Sequence, residues 1–262
     1  MKKKSTPILN SEAIYEYESK HMLCENMSFA AAEAYKLMRT NILFSFADEN
    51  DSRVIGVSSA LSGEGKSLTS INTAYTLAQL GKKVLLVEAD LRIPLISKRL
   101  HMKKSPGLSN LLVGLNKFSE TVQKYTSKKG DVTFDVMVAG DVPPNPSELL
   151  GSDRMNTLIP YLTQQYNFII MDIPPIVSVT DTLVVSKLTN GIVIVVRQDY
   201  CNRVQLAETV KQLEFVNARV LGFVFNGATD TQTGYRKGYS KSYYRRYYSE
   251  PYLLAAKGDK KQ

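Results

Sequence analysis

The stretch Ala60-Leu61-Ser62-Gly63-Glu64-Gly65-Lys66-Ser67 decides how the rest of the chain is to be understood. It follows a short apolar and β-branched run, Val54–Ser58, and opens a segment of helical spacing, Ser67–Leu80. A strand, a glycine-bearing loop and a helix in that order is the setting of a phosphate-binding loop. Glycines at 63 and 65 let backbone N–H groups turn inward around phosphate oxygens, where a Cβ would obstruct the approach. The helix N-terminus near Lys66 adds unpaired N–H groups and the positive end of its dipole. The nucleotide-binding residues expected are therefore Ser62, Gly63, Glu64, Gly65, Lys66, Ser67 and Leu68. Lys66 should reach the β- and γ-phosphates, and the Ser67 hydroxyl should ligate Mg²⁺. Ala60 stands where the pattern has its first glycine, a place where a small residue suffices. The plain alternative is a strand-to-helix turn that binds nothing.

Outward from this loop, two acidic stretches follow apolar runs. Leu85-Leu86-Val87-Glu88-Ala89-Asp90-Leu91-Arg92 sets two carboxylates two residues apart, and Ile169-Ile170-Met171-Asp172-Ile173-Pro174-Pro175 ends a run on an aspartate. Both fall at the edge of an open α/β sheet where ligands bind. Taken alone, such an aspartate is an ordinary turn or helix cap. Beside a phosphate loop, Asp172 is a candidate Mg²⁺ partner, and Glu88 and Asp90 are joint candidates for general base and metal partner.

Six short runs have the near-continuous apolar character of strands buried on two faces: Val54–Ser58, Val84–Glu88, Phe134–Val138, Phe168–Asp172, Ile192–Val196 and Val220–Phe225. Helical segments alternate with them at 67–80, 108–113, 152–164, 180–188 and 203–216, after a first helix over 29–46, and Gly81 is placed as a C-cap. The alternation predicts an α/β fold, a parallel-rich, doubly wound sheet with helices on both faces. Three parts are expected: a polar lead-in over 1–26, the nucleotide-binding domain over 27–227, and a mobile segment over 228–262 that has too few aliphatic residues for a core. Arg197 and Asn226 fall at strand ends where a nucleotide base could be contacted; for Asn226 a turn role before Gly227 is nearly as good a reading.

The formal charge of +8 is concentrated at the end of the chain. From Tyr235 onward Arg236, Lys237, Lys241, Arg245, Arg246, Lys257, Lys260 and Lys261 face only Glu250 and Asp259. Cys24 and Cys201 lie too far apart for a zinc or disulfide pattern and suit a reducing compartment. The lysine-rich start lacks the apolar core of a signal peptide, and no apolar run reaches the ~18 residues of a bilayer span. A soluble chain is expected, unless something else recruits it to a membrane.

Together the three motifs resemble the Walker A, Walker A′ and Walker B set of bacterial tyrosine kinases of capsule and exopolysaccharide synthesis, relatives of the MinD and ParA ATPases. MinD and ParA proteins carry a signature lysine where this chain has Leu61, which argues against that branch. Val142-Pro143-Pro144-Asn145-Pro146-Ser147-Glu148-Leu149-Leu150 resembles a segment common among the kinases. The second motif departs from their Asp-x-Asp-x-Arg, with Glu88 in first place. Glu33, Lys36 and Arg39 resemble their Glu-x-x-Arg-x-x-Arg self-association motif, although lysine lacks arginine's bidentate fork. A solvated helix face with local ion pairs is an equal reading of those three.

The resemblance implies an ATP- and Mg²⁺-dependent protein-tyrosine kinase whose own Tyr235, Tyr239, Tyr243, Tyr244, Tyr247, Tyr248 and Tyr252 are the autophosphorylation sites. It also implies a homo-oligomeric ring, a separate transmembrane activator that recruits the cytoplasmic kinase to the inner membrane face, an opposing tyrosine phosphatase, and polysaccharide-synthesis enzymes as possible substrates. Aromatics interleaved with Arg and Lys could instead stack on single-stranded nucleic acid or lie on an anionic membrane. The phosphoacceptor reading is preferred, with no nucleic-acid partner, because motifs and tyrosines explain each other. The runner-up is a MinD/ParA-like ATPase switch that phosphorylates nothing.

Overall fold

The computed structural model describes residues 22, 27–46 and 53–228. The expected lead-in, apart from Met22, and the C-terminal tyrosines, Tyr235 to Tyr252, lie outside the described residues, as does the expected mobility of that last segment. Everything described up to Asn226 belongs to one compact unit.

The elements run α1 (Phe29–Phe44), β1 (Arg53–Ser59), α2 (Lys66–Ala78), β2 (Val84–Glu88), α3 (Ile96–Arg99), α4 (Leu108–Val113), α5 (Phe118–Thr121), β3 (Val122–Thr126), β4 (Thr133–Met137), α6 (Pro146–Leu150), α7 (Asp153–Gln165), β5 (Phe168–Asp172), α8 (Asp181–Ser186), β6 (Gly191–Arg197), α9 (Arg203–Phe215) and β7 (Val220–Asn226). Seven strands form one sheet in the order β3-β4-β2-β5-β1-β6-β7. Every pairing is parallel except β3 with β4.

Alternate residues of each strand feed opposite layers. Val84 and Leu86 of β2 and Ile170 of β5 pack with Ile71, Ala74 and Leu77 of α2 on one face. Leu85, Val87, Ile169 and Met171 pack with Leu112 of α4, Leu150 of α6 and Met155 and Leu162 of α7 on the other. With both faces covered, the central strands read as unbroken apolar runs, which is why they are visible in the sequence. Strand β3 is different. It is an antiparallel edge strand, Val-Gln-Lys-Tyr-Thr, half-exposed along its length, and carries no apolar run. The short helices α3, α5 and α6 likewise leave too few turns for a periodic signal.

Helix α2 ends at Ala78, two residues before the expected limit. Gly81 then takes φ 72° and donates its N–H to the Ala78 carbonyl at 2.9 Å. Helix α1 starts on Ser28, whose hydroxyl accepts from Ala31 N, and is pinned to α2 by Arg39, whose Nη1 donates to the Thr76 carbonyl at 2.9 Å. A cation on the last turn of α2 meets carbonyls that the helix itself cannot satisfy.

What matters for function is the register. Asp172 at the end of β5 stands beside Glu88 of β2 on one side and Val57 of β1 on the other. The loop 60–65 leaves β1 at this same edge, so phosphate loop and carboxylates converge by topology alone.

Candidate functional site

The loop is held in shape by its own chain. Gly63 and Gly65 take φ 86° and 96°, the left-handed region that costs glycine nothing. A Cβ on Gly65 would fall 2.2 Å from Asn226 Nδ2, and one on Gly63 would fall 3.0 Å from the Tyr200 hydroxyl. Glu64 is fully buried and points back into the protein. Its carboxylate accepts from Leu61 N at 2.8 Å and Arg197 N at 3.2 Å. Asn226 donates to the Glu64 carbonyl at 2.8 Å, and Arg197 Nη1 donates to the Gly63 carbonyl at 3.1 Å. Thus Arg197 and Asn226 brace the loop from β6 and β7, and Glu64 ties it down from within, all three having been named from sequence as nucleotide contacts. Ser62 and Gly63 lie on its exposed outer side, and Leu68 is buried in the α2 layer of the core.

Beneath the loop, Lys66 Nζ lies 2.7 Å from Asp90 Oδ2 and 3.8 Å from Asp172 Oδ1, with all three side chains nearly buried. Burial alone would lower the lysine's pKa, but Asp172 and Asp90 outweigh it and raise the Lys66 pKa. Asp172 is raised because its complete burial exceeds the opposing pull of Lys66 and the Ser67 hydroxyl. Ser70 donates to Asp172 Oδ1 at 3.1 Å, while Oδ2 is buried and has no hydrogen-bond partner among the described residues.

The structure separates Glu88 from Asp90. Glu88 accepts three backbone N–H groups, from Leu95, Ile96 (2.6 Å) and Ala139 (3.0 Å), and so ties β2 to the start of α3 and the end of β4. Burial nonetheless pushes its pKa up to about 7. Asp90 faces Lys66 with one oxygen and accepts from Ile93 N at 3.0 Å with the other.

An oxygen-only set of Ser67, Asp90 and Asp172, with an orphaned buried carboxylate oxygen, suits a hard cation such as Mg²⁺. No group of three or more His, Cys, Asp or Glu is placed to cage a metal among the described residues. Mg²⁺ ordinarily takes one or two carboxylates and completes its shell with substrate phosphates, so the residues fit an ion that arrives with a nucleotide.

A second cluster, absent from the sequence reading, surrounds the first. Arg92 holds the buried Asp181 with both Nε (2.7 Å) and Nη2 (3.0 Å), Nη2 also reaches Ser147 Oγ at 3.3 Å, and Ser147 bonds Asp181. Asp181 opens a short helix after a Thr, and nothing in that local pattern distinguishes it from a cap. Burial alone would raise its pKa, but the bonds from Arg92 and Ser147 lower it. A lowered carboxylate contributes stability above its ordinary 3.8, lost as pH falls through the lower folded value. Arg92→Ala should therefore cost about 1–3 kcal/mol at pH 7, discounted for the half-open arginine, and much less near pH 3. Urea unfolding at both pH values checks this; an equal loss at both would refute the pair.

In the single chain, the helix α1 residues have local partners. Lys36 Nζ pairs with Glu33 at 2.7 Å, and Arg39 is occupied with Thr76. No helix among the described residues is long and apolar enough to cross a membrane.

Residues 52–220 match the AAA domain family. The chain is 35% identical over 196 residues to the tyrosine-protein kinase YwqD of Bacillus subtilis (strain 168), covering 75% of this chain and 81% of that one. The kinase domain of Escherichia coli tyrosine kinase ETK superposes with a TM-score of 0.72 at 31% identity, over 80% of each chain. The septum site-determining protein MinD of Pyrococcus horikoshii shares the fold at 20% identity and a TM-score of 0.56, covering 68% of this chain and 72% of that one.

Proposed function

The chain belongs to the bacterial tyrosine-protein kinase family, and we propose that it moves the γ-phosphate of ATP onto tyrosines that include Tyr235, Tyr239, Tyr243, Tyr244, Tyr247, Tyr248 and Tyr252 of its own C-terminal segment. The observation that carries this is the buried triad of Lys66, Asp90 and Asp172 under a loop whose backbone is held open by Gly63 and Gly65.

Lys66 is counter-ion to both carboxylates. Phosphates in the loop offer it a stronger partner, and its swing toward them releases Asp90. The freed Asp90 carboxylate then takes the phenolic proton as the tyrosine oxygen bonds to the γ-phosphorus and the bond to the β–γ bridging oxygen breaks, leaving ADP. Ser67 and Asp172 would hold Mg²⁺, which neutralises charge on the phosphate oxygens. Glu88 acts here as a positioning residue: its three N–H bonds fix the Asp90 loop, and this accommodates a glutamate where related kinases have aspartate. Because Glu64, Arg197 and Asn226 already set the loop's shape, its amides need no rearrangement when charge develops.

Further parts of the reading rest on family membership. We assign the chain to capsule or exopolysaccharide synthesis, with a membrane-spanning activator bringing it to the inner face of the membrane, a tyrosine phosphatase reversing the modification, and polysaccharide-synthesis enzymes as additional substrates. Glu33, Lys36 and Arg39 would meet a neighbouring subunit in a homo-oligomeric ring by exchanging local partners for intersubunit ones. Each phosphate adds about −1.5 to −2 charge and would reverse the sign of the basic segment, loosening that ring.

Incubation of the purified chain with γ-labelled ATP and Mg²⁺, followed by mass mapping, tests the core of this. Label on several of the seven tyrosines is expected. Hydrolysis of ATP with every tyrosine unmodified would instead identify a nucleotide-driven switch.

A further inference from the structure

Resting on the kinase reading, we propose that Arg92, Asp181 and Ser147 clamp three loops into an acceptor mouth, with Ile93, Val142 and Val177 receiving the tyrosine ring and Glu148 selecting basic flanking residues.

The argument starts from connectivity. The loops after β2, β4 and β5 leave adjacent strands at the edge where Lys66, Asp90 and Asp172 meet. Arg92 lies in the first loop, and Ser147 and Asp181 lie in the opening turns of α6 and α8, the helices that the second and third loops enter, so one guanidinium joins all three. Each loop also carries an apolar side chain with no evident structural task. Ile93 is 60% exposed, Val142 62% and Val177 38%. Two of the three backbones are nonetheless anchored: Ile93 N bonds the Asp90 carboxylate, and Val177 N bonds the Ala60 carbonyl at the base of the phosphate loop. Exposed aliphatic groups on fixed loops beside a proposed proton acceptor suit a flat ring that must bring its hydroxyl to that acceptor.

Charge picks the occupant. Glu148 is exposed on α6, next to Ser147, and adds to the acidic field around Arg92. The acceptor tyrosines lie among cations: Arg236 follows Tyr235, and Arg245-Arg246 separates Tyr243-Tyr244 from Tyr247-Tyr248. A basic, tyrosine-bearing segment therefore matches the mouth in both ring and sign, whereas an acidic acceptor would be repelled.

The test uses the full chain and a synthetic peptide of residues 240–248, with a second peptide in which Lys241, Arg245 and Arg246 are glutamine. Ile93→Ser and Val142→Ser should each raise the KM for the basic peptide about 3- to 10-fold, while kcat and nucleotide affinity stay near wild type. Glu148→Lys should raise that KM by a similar factor at low salt, the effect shrinking as salt is added, and leave the glutamine peptide unchanged. Unchanged KM in all three variants would overturn the mouth while leaving the kinase reading intact. So would a wild-type enzyme that labels its own tyrosines but no peptide at millimolar concentration. A wild type that labels neither would fail the kinase reading itself.

Discussion

Lys66→Met is expected to lower phosphotyrosine formation by at least about 10²–10³-fold, the scale on which removing one charge-stabilising group acts. The same substitution should leave a second, independent mark on the nucleotide-free protein. Methionine keeps the length of the side chain but removes the ammonium that neutralises Asp90 and Asp172, and breaking a buried pair by deleting one partner costs about 3–5 kcal/mol at most. That cost depends on pH in a fixed direction. The Lys66 pKa is raised, so its contribution is complete below the ordinary lysine value and fades only in strong alkali. In the variant, the two carboxylates face burial and each other without a counter-charge. The folded pKa of Asp172 then rises further, and stability is lost as pH climbs from its ordinary value to the raised one. Titrations elsewhere are common to both proteins and cancel in the difference. Urea unfolding of wild type and variant should thus show a small gap at pH 5 and a larger one at pH 8. A variant that labels at the wild-type rate would remove Lys66 from the chemistry, and a gap that narrows with pH would contradict the ion-pair geometry.

Much of this architecture is legible in the residues, and the reason is topological. Parallel strands covered on both faces must be apolar throughout, so β1, β2, β5 and β6 announce themselves, while β4 and the half-exposed edge strand β7 are read from apolar runs of their own; glycines mark the loop because a side chain is strained at φ near 90°. What stays hidden depends on contacts between distant segments. Nothing near Glu88 signals that Ala139, 51 residues on, donates to it. Glu64 sits inside the phosphate-loop pattern, yet its side chain faces Arg197 across the sheet. Asp181 resembles any helix-opening aspartate until Arg92 is found beside it. Strand β3 escapes because an edge strand with Lys124 and Thr126 open to water need not be apolar.

These hidden contacts divide the labour at the site. Glu64, Arg197 and Asn226 fix the loop; Glu88 and Arg92 fix the strand-end loops around it; only Lys66, Asp90 and Asp172 are left with charge directed at the space between. Groups of the first two kinds spend their hydrogen bonds on the fold, so their substitution should act through geometry. In the third group burial opposes the charge on Lys66 and Asp172 alike, and the charges persist only because they face one another. Ionisable groups kept against their solvation preference in this way mark a site organised for a ligand.

Asp172→Asn draws that distinction most sharply. The amide preserves the size of the side chain, and its carbonyl oxygen can still accept from Ser70, so packing should survive. Phosphotyrosine formation should nevertheless fall by about 10²-fold or more, because the group proposed to hold Mg²⁺ beside Ser67 loses its charge. Stability should move the other way from Lys66→Met. The folded pKa of Asp172 is raised by burial, so its charge costs stability increasingly as pH climbs from the ordinary 3.8 to the folded value, and by a constant amount above it. Removing that charge relieves the liability, and Lys66 keeps Asp90 at 2.7 Å as its counter-ion. The nucleotide-free variant is therefore expected to be as stable as wild type at pH 5 and equally or more stable at pH 8, while adenine nucleotide no longer stabilises it more strongly when Mg²⁺ is added. Two substitutions 106 positions apart would then silence one reaction while shifting stability with opposite dependence on pH. If Asp172→Asn instead destabilised the free protein as Lys66→Met does, Asp172 would be a structural member of the ion pair, and the metal role assigned to it would have to pass to Asp90.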